Sequence, residues 1–300
     1  MKYKDFLAST DYTKLISKMC DFIKESSKES EVIVIGLSGG LNSTVDAYLS
    51  VEAVGKRNVF GLILQEKDSS IQNMRDATAL AHVLDIDYRF IDITKALKEI
   101  GIYRLSPSTF LIPRKRQEKW VKRQWEEMGG EDVFLKDLAS SAKEKDFWEA
   151  QAYYRAKVRL RTILLYFHAN LRNGLVLGNT NKTEILTGLY VKYGDELADI
   201  APLVNIYKTQ TREIAKKLKI PKAILEKTPS PDLIPGIDDE FILGLSYEDV
   251  DEILYCLENN LSVDLPEEKV NRVRKIMDKA SIRSLPKHVF PFNGEKYIIS

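Results

Sequence analysis

The stretch Val32-Ile33-Val34-Ile35-Gly36-Leu37-Ser38-Gly39-Gly40-Leu41-Asn42-Ser43-Thr44 decides how the rest of the chain is read. Four consecutive β-branched apolar residues are the pattern of a parallel strand buried on both faces. A Ser-Gly-Gly turn follows and leads into an amphipathic helix through Val45, Ala47, Tyr48, Leu49 and Val51. A strand, a glycine turn and a helix N-terminus in that order suit an anion. Glycine lets the backbone approach closely, the free amides point outward, and Ser38, Ser43 and Thr44 add hydroxyl donors. The turn is neither the P-loop, which ends in Gly-Lys-Ser/Thr, nor the dinucleotide fingerprint G-x-G-x-x-G. Taken alone it is equally a plain strand–helix junction, so the remainder of the chain has to choose.

Outward from this segment, strands are expected at 31–36, 59–64, 88–92 and 174–178, alternating with helices at 11–27, 43–54, 70–84 and 150–172. Alternating β and α with buried-type strands predicts an α/β fold, a doubly wound parallel sheet with helices on both faces. Ligands in such sheets sit at the carboxyl ends of the strands. The Ser-Gly-Gly turn and Asn179-Thr180-Asn181 both fall at strand ends, so they are expected to face one crevice.

The 300 residues are read as one domain, 1–300, interrupted by an inserted segment at 103–149. That segment holds Pro107, Pro113 and the basic run Arg114, Lys115, Arg116, Lys119, Lys122, Arg123, with Trp120 and Trp125 interleaved. Basic residues laced with aromatics can grip RNA or a phosphate-rich ligand. Acidic residues from Glu126 to Glu149 balance them, which favours a helical insertion whose tryptophans pack and whose charges are solvated. Its prolines and lack of apolar period imply weak local packing elsewhere and suit a lid over the crevice. A net charge of +1 supplies no broad positive field, so nucleic acid is not an expected partner. Cys20 and Cys256 have no metal-ligand spacing and fit a reducing compartment. With no apolar run long enough for a bilayer, a cytoplasmic location and no membrane contact are expected.

Five further motifs carry chemistry in order: Lys157-Val158-Arg159-Leu160-Arg161, Gly178-Asn179-Thr180-Asn181-Lys182-Thr183-Glu184, Lys192-Tyr193-Gly194-Asp195-Glu196-Leu197-Ala198-Asp199, Tyr207-Lys208-Thr209-Gln210 and the Lys227-Thr228-Pro229-Ser230 turn. Singly, each is no more than a charged loop. In this order, behind the Ser-Gly-Gly turn, they resemble the ammonia-dependent NAD synthetases of the ATP pyrophosphatase (adenine nucleotide alpha hydrolase-like) superfamily. The resemblance runs over about residues 12–100 and 150–290.

That resemblance implies an ATP-dependent amide ligase. It would adenylate the carboxylate of nicotinic acid adenine dinucleotide, release pyrophosphate, and let ammonia replace AMP to give NAD. It implies ATP and Mg²⁺ as cofactors and a homodimer. ATP contacts are implied at Gly36, Leu37, Ser38, Gly39, Gly40, Leu41, Asn42, Ser43, Asn179, Lys208 and Ser230. Catalytic roles fall on Lys208, Glu184 and Asn42, with Glu184 and Asn42 also as the metal ligands. Substrate contacts are implied at Arg159, Lys192 and Asp199. Several letters depart from the family pattern. Asn42 stands where the family has aspartate and offers a hard cation a carbonyl without a charge. Asn179 replaces a threonine, Glu196-Leu197 replace a glycine pair, and Arg155 stands where asparagine is usual. Two other readings therefore stay open: a related adenylating ligase for a different carboxylate, and a nucleotide-binding protein without turnover.

Overall fold

A computed structural model of the protein describes residues 2–105, 114–130, 132–230 and 236–281. Four strands, β1 (Val32–Gly36), β2 (Val59–Gln65), β3 (Asp87–Asp92) and β4 (Gly174–Leu177), form a sheet in the order β3-β2-β1-β4. All pairs are parallel: Ile33 of β1 lies opposite Val59 of β2 on one side and Leu175 of β4 on the other. The expected strands are thus present. They are short because each crosses only the thickness of the core.

Period-two alternation sends the strand side chains to two layers. Ile33, Ile35, Val59, Ile63 and Leu177 enter one layer. There they meet Ile16, Met19 and Ile23 of the Tyr12–Ser26 helix, Val45 and Leu49 of the Leu41–Val54 helix, and Ile214 of the Lys208–Lys217 helix. Val34, Leu62, Leu64 and Val176 face the opposite layer, against Leu164, Leu165 and Ala169 of the Lys145–Asn170 helix. Helices therefore cover both faces, as a doubly wound sheet requires. β3 is an edge strand, and its Phe90 is half-exposed.

A second apolar core is built from helices alone. Tyr247, Val250, Ile253 and Leu254 of the Tyr247–Glu258 helix pack with Val273 and Ile276 of the Glu267–Ala280 helix. Phe134 and Leu138 of the Asp132–Leu138 helix join them. This corrects the expectation that 103–149 packs little: Val133, Phe134, Leu138 and Phe147 are all buried. Their apolar spacing covers only two turns, too short to stand out beside the dense charge of the Arg114–Glu127 helix. Trp125 of that helix lies 6.0 Å from the Phe241 ring, while Trp120 remains half-exposed. Pro107 and Pro113 lie outside the described residues.

A buried ion cluster fastens the long Lys145–Asn170 helix to the carboxyl end of β2. Lys157, fully buried, donates to Glu66 at 3.0 Å and to Asp68 at 2.7 Å. Tyr103 donates to Glu66 at 2.8 Å, Tyr153 donates to Asp68, and the Lys157 ammonium lies 4.0 Å from the Tyr153 ring centroid. Burial alone would push the Asp68 carboxyl up, but the Lys157 charge, with hydrogen bonds from Lys157, Lys67 and Tyr153, holds it down at about 2. A carboxyl depressed on folding stabilises the fold above its ordinary range near pH 4, and that contribution is lost as the pH falls through about 2. Lys157→Met leaves buried Glu66 without its cation and Asp68 with Lys67 alone, and breaking such a buried pair costs about 3–5 kcal/mol. Urea unfolding at neutral pH is expected to show that loss, and parent-like stability of the variant would show the cluster to be energetically neutral.

Candidate active site

The chain leaves the carboxyl ends of β1 and β4 toward opposite sides, and a cavity of about 400 Å³ opens there. Asn179, just past β4, donates through Nδ2 to the carbonyl of Gly36 at the end of β1 at 3.0 Å, which ties the two strand ends together. On the β1 side the Ser-Gly-Gly turn is held in one shape. Gly39 has φ +72°, and a Cβ there would lie 2.3 Å from the Asn73 carbonyl oxygen, so only glycine fits. The Ser38 and Ser43 hydroxyls lie 2.9 Å apart, and Gly40 N donates to Ser38 Oγ at 3.2 Å. Lys227 donates to the Gly39 carbonyl at 2.9 Å and to Asp76 at 2.6 Å, bridging the turn to the Ile71–Leu84 helix.

On the β4 side, Glu184 is placed by a capping box. Asn181 Oδ1 accepts from Glu184 N at 3.0 Å, and Glu184 Oε2 accepts from Asn181 N at 3.0 Å. Lys208 starts the ten-residue Lys208–Lys217 helix and is almost completely buried. These pieces meet at Asn42. Its Nδ2 donates to Glu184 Oε1 at 3.0 Å, to Oε2 at 3.2 Å and to the Asn179 carbonyl at 2.9 Å. Lys208 Nζ donates to Asn42 Oδ1 at 3.0 Å and to Glu184 Oε1 at 3.4 Å. An ammonium, a carboxylate and a neutral amide thus converge beside the phosphate-type turn. Aspartate at 42 could not make this contact, because it has no N–H to offer Glu184.

One acid that the sequence reading passed over holds this arrangement. Asp251, fully buried, accepts from Thr183 Oγ1 at 2.5 Å and from Thr209 N at 2.8 Å, and Thr183 Oγ1 in turn accepts from Lys208 N at 2.9 Å. A single carboxyl therefore fixes the neighbours of both Glu184 and Lys208. Burial pushes it up to about 6, against the hydrogen bonds it accepts. Its sequence signal is an acid on the otherwise apolar i, i+3, i+4, i+7 face of Tyr247, Val250 and Leu254. Asp239 is similar: it accepts from Tyr247 at 2.8 Å, and burial pushes it up to about 6 although Lys208 opposes.

The sequence profile of the NAD synthase family matches residues 15–112 and 132–285. The NH₃-dependent NAD⁺ synthetase of Thermotoga neapolitana is 45% identical over 275 residues, 91% of this chain and 94% of that protein. This chain belongs to the NAD synthase family. Among solved structures, an NMN synthetase from Francisella tularensis superposes with TM-score 0.73 at 26% identity, covering 95% of this chain and 100% of that one. An NH₃-dependent NAD synthetase from Campylobacter jejuni gives 0.68 at 26%, covering 94% and 100%.

As a NAD synthase the chain is an ATP-dependent ligase, and its implied ATP residues divide in two. Ser38, Gly40, Leu41, Asn42, Ser43, Asn179, Lys208 and Ser230 line the cavity. Gly36 and Leu37 belong to the β1 end behind it, with Leu37 in the core, and Gly39 shapes the turn. Of the implied substrate residues, Arg159, Lys192 and Asp199 stand outside this cavity. Arg159 donates to the Lys192 carbonyl at 3.0 and 3.2 Å, and Asp199 accepts from Val176 N at 2.8 Å. Trp125, Phe134, Asp137, Gln151, Tyr154 and Arg155 line it as well. Arg155 pairs with Asp137 at 2.5 Å, so the unusual arginine and the 103–149 segment meet at this wall. The extra charge of Glu196 is taken up locally by the amides of Tyr193 and Gly194. Between its two matched segments the family profile leaves out 113–131, a narrower insertion than 103–149.

Among the described residues no group of three or more His, Cys, Asp and Glu could hold a metal ion. The donors beside the turn are the Glu184 carboxylate and, with its amide turned over, Asn42 Oδ1. One carboxylate and a carbonyl completed by ligand phosphates suit Mg²⁺, which seldom takes an all-protein cage. Lys208→Ala is expected to lower kcat by about 100-fold or more, the usual cost of losing one transition-state charge contact, at temperatures where the variant is still folded, since Glu184 also loses its buried cation. Steady-state kinetics beside thermal unfolding checks it, and parent-like turnover would remove Lys208 from the chemistry.

Proposed function

We propose that this protein makes NAD by amidating nicotinic acid adenine dinucleotide at the expense of ATP, with free ammonia as the nitrogen donor. The convergence of Lys208, Asn42 and Glu184 on the Ser38–Ser43 turn carries this reading. The turn amides and hydroxyls bind the outer phosphates of ATP. The substrate carboxylate attacks the α-phosphorus, the bond to the bridging oxygen breaks, and pyrophosphate leaves. Ammonia then adds to the acyl carbon, AMP departs, and a proton is released. Lys208, screened from water, opposes the charge that develops on the leaving pyrophosphate. Glu184 and Asn42 would hold Mg²⁺, whose chemistry is to neutralise that same phosphate charge. The 103–149 segment serves as a wall or lid over the acid, through Trp125, Phe134 and Asp137. Cys20 and Cys256, both free and buried, suit a cytoplasmic setting, and no helix among the described residues is long and apolar enough to cross a membrane.

The test supplies ATP, Mg²⁺, ammonium and the deamido dinucleotide, and measures AMP and NAD, expected in equal amounts. Nicotinic acid mononucleotide runs in parallel, because the Francisella neighbour is an NMN synthetase. AMP released only with another acid overturns the substrate, and ATP binding without AMP under any condition overturns the ligase.

The partner we propose is a second copy of the chain. Arg159, Ile163, Phe167 and Leu171 recur every fourth residue along the long helix, and the three apolar ones are 63%, 52% and 62% exposed. An apolar stripe of this kind on a helix already packed on its other side suits an isologous interface. A dimer across it brings Arg159 and Lys192 to the subunit seam, which is how these residues would reach a substrate. Phe167→Glu is expected to yield a monomer in light scattering after size exclusion, whereas an unchanged mass would exclude this face.

A further inference from the structure

Asp46 lies one helical turn beyond Asn42 in the Leu41–Val54 helix. It is 0% exposed, and neither carboxyl oxygen has a hydrogen-bond partner among the described residues. A buried acid without a partner is costly, and folds keep few of them. Residues four apart share a helix face, and each Cα–Cβ bond tilts toward the helix N-terminus. Asp46 therefore leans toward the turn that carries Asn42, and Glu184 is close enough to add its repulsion to the burial that pushes the Asp46 carboxyl up. Directly above it, Asn42 joins Glu184 and Lys208 but contributes no charge.

We propose that Asp46 is the second carboxylate of the divalent-cation site: the negative charge that the family pattern places at position 42 stands one helical turn further on, and Asn42 keeps only a neutral carbonyl there. The neutral Asn42 and the unpaired Asp46 then complement each other. A cation beside Glu184 gains two carboxylates, the usual complement for Mg²⁺ on nucleotide phosphates. Asp46, unpaired within the protein, gains the partner it lacks. This rests on reading the turn as the Mg²⁺–ATP site.

Binding of Mn²⁺, the probe metal, is measured by electron paramagnetic resonance with a non-hydrolysable ATP analogue present, so no turnover is involved. Asp46→Asn keeps the shape and removes the charge. It is expected to weaken Mn²⁺ by about tenfold or more, the range seen when groups supporting a metal site are lost. Adding Asn42→Asp to Asp46→Asn is expected to restore affinity to within about threefold of the parent, since the charge returns one turn earlier. Thermal unfolding without metal should not fall in Asp46→Asn, because an amide replaces an unpaired buried acid. Unchanged Mn²⁺ affinity in Asp46→Asn, with a loss in Glu184→Gln, overturns the role of Asp46 and leaves the site standing. Unchanged affinity in Glu184→Gln as well overturns the cation site itself. A loss in Asp46→Asn that Asn42→Asp does not reverse also overturns the proposal, because local packing rather than charge would then be what was removed.

Discussion

Everything in the site hangs from the parallel pairing of β1 between β2 and β4. A central strand with a neighbour on each side is buried on both faces, so its side chains are committed to the core and only its carboxyl end is free to meet a ligand. The connections after β1 and β4 leave on opposite sides, and the gap between them becomes a crevice. The Asn179–Gly36 hydrogen bond at 3.0 Å holds the two strand ends at one spacing. Without that spacing the phosphate turn and Glu184 would share no ligand, because they are more than 140 residues apart in the chain and the sheet alone brings them together.

The electrostatics built on this frame are unusual in their balance. One buried ammonium, Lys208, faces the carboxylate of Glu184, with Asp239, Asp251 and Asp46 buried around them. Burial pushes all three aspartates above the ordinary carboxylate range. Asp251 is answered by Thr183 and Thr209, and Asp239 by Tyr247. Asp46 is answered by no side chain in the described structure. Such a site is poised for positive charge. The amide of Asn42 stands between Glu184 and Lys208 as a neutral adaptor, donating to one and accepting from the other, which only a side chain with both functions can do.

The helical core of the carboxyl-terminal third gives this site its rigidity. Tyr247, Val250 and Leu254 anchor the helix that presents Asp251, so apolar packing behind the crevice sets where the helices carrying Lys208 and Glu184 begin. The Lys157 cluster does the same for the long helix that carries Tyr154 and Arg155 to the cavity wall. In both cases a polar group is buried at one point only, with its partners supplied, and apolar contacts surround it. That arrangement makes position, rather than net stability, the main return from burying a charge.

The local elements and the order of the chemistry were legible in the residues alone. Val32–Ile35 cannot avoid being a buried strand, Gly39 alone tolerates its backbone angle, and Asn181 three residues before Glu184 writes its own capping box. These are short-range constraints, set within a few residues by sterics and hydrogen bonding. The sequence also carried the motif order from which Lys208 and Glu184 were singled out. Which of those residues meet follows from the packing of distant elements. Arg159, Lys192 and Asp199 sit in equally suggestive motifs yet stand outside the cavity, whereas Asp251 and Asp46 carry no motif and Arg155 stood out only as a departure, yet all three lie at or behind it. Nor did periodicity show that the charge-rich 103–149 segment would bury Phe134 and Leu138 against a distant helical pair. Burial of an acid or an aromatic is settled by what packs over it from far along the chain, and that information is absent from any local window of residues.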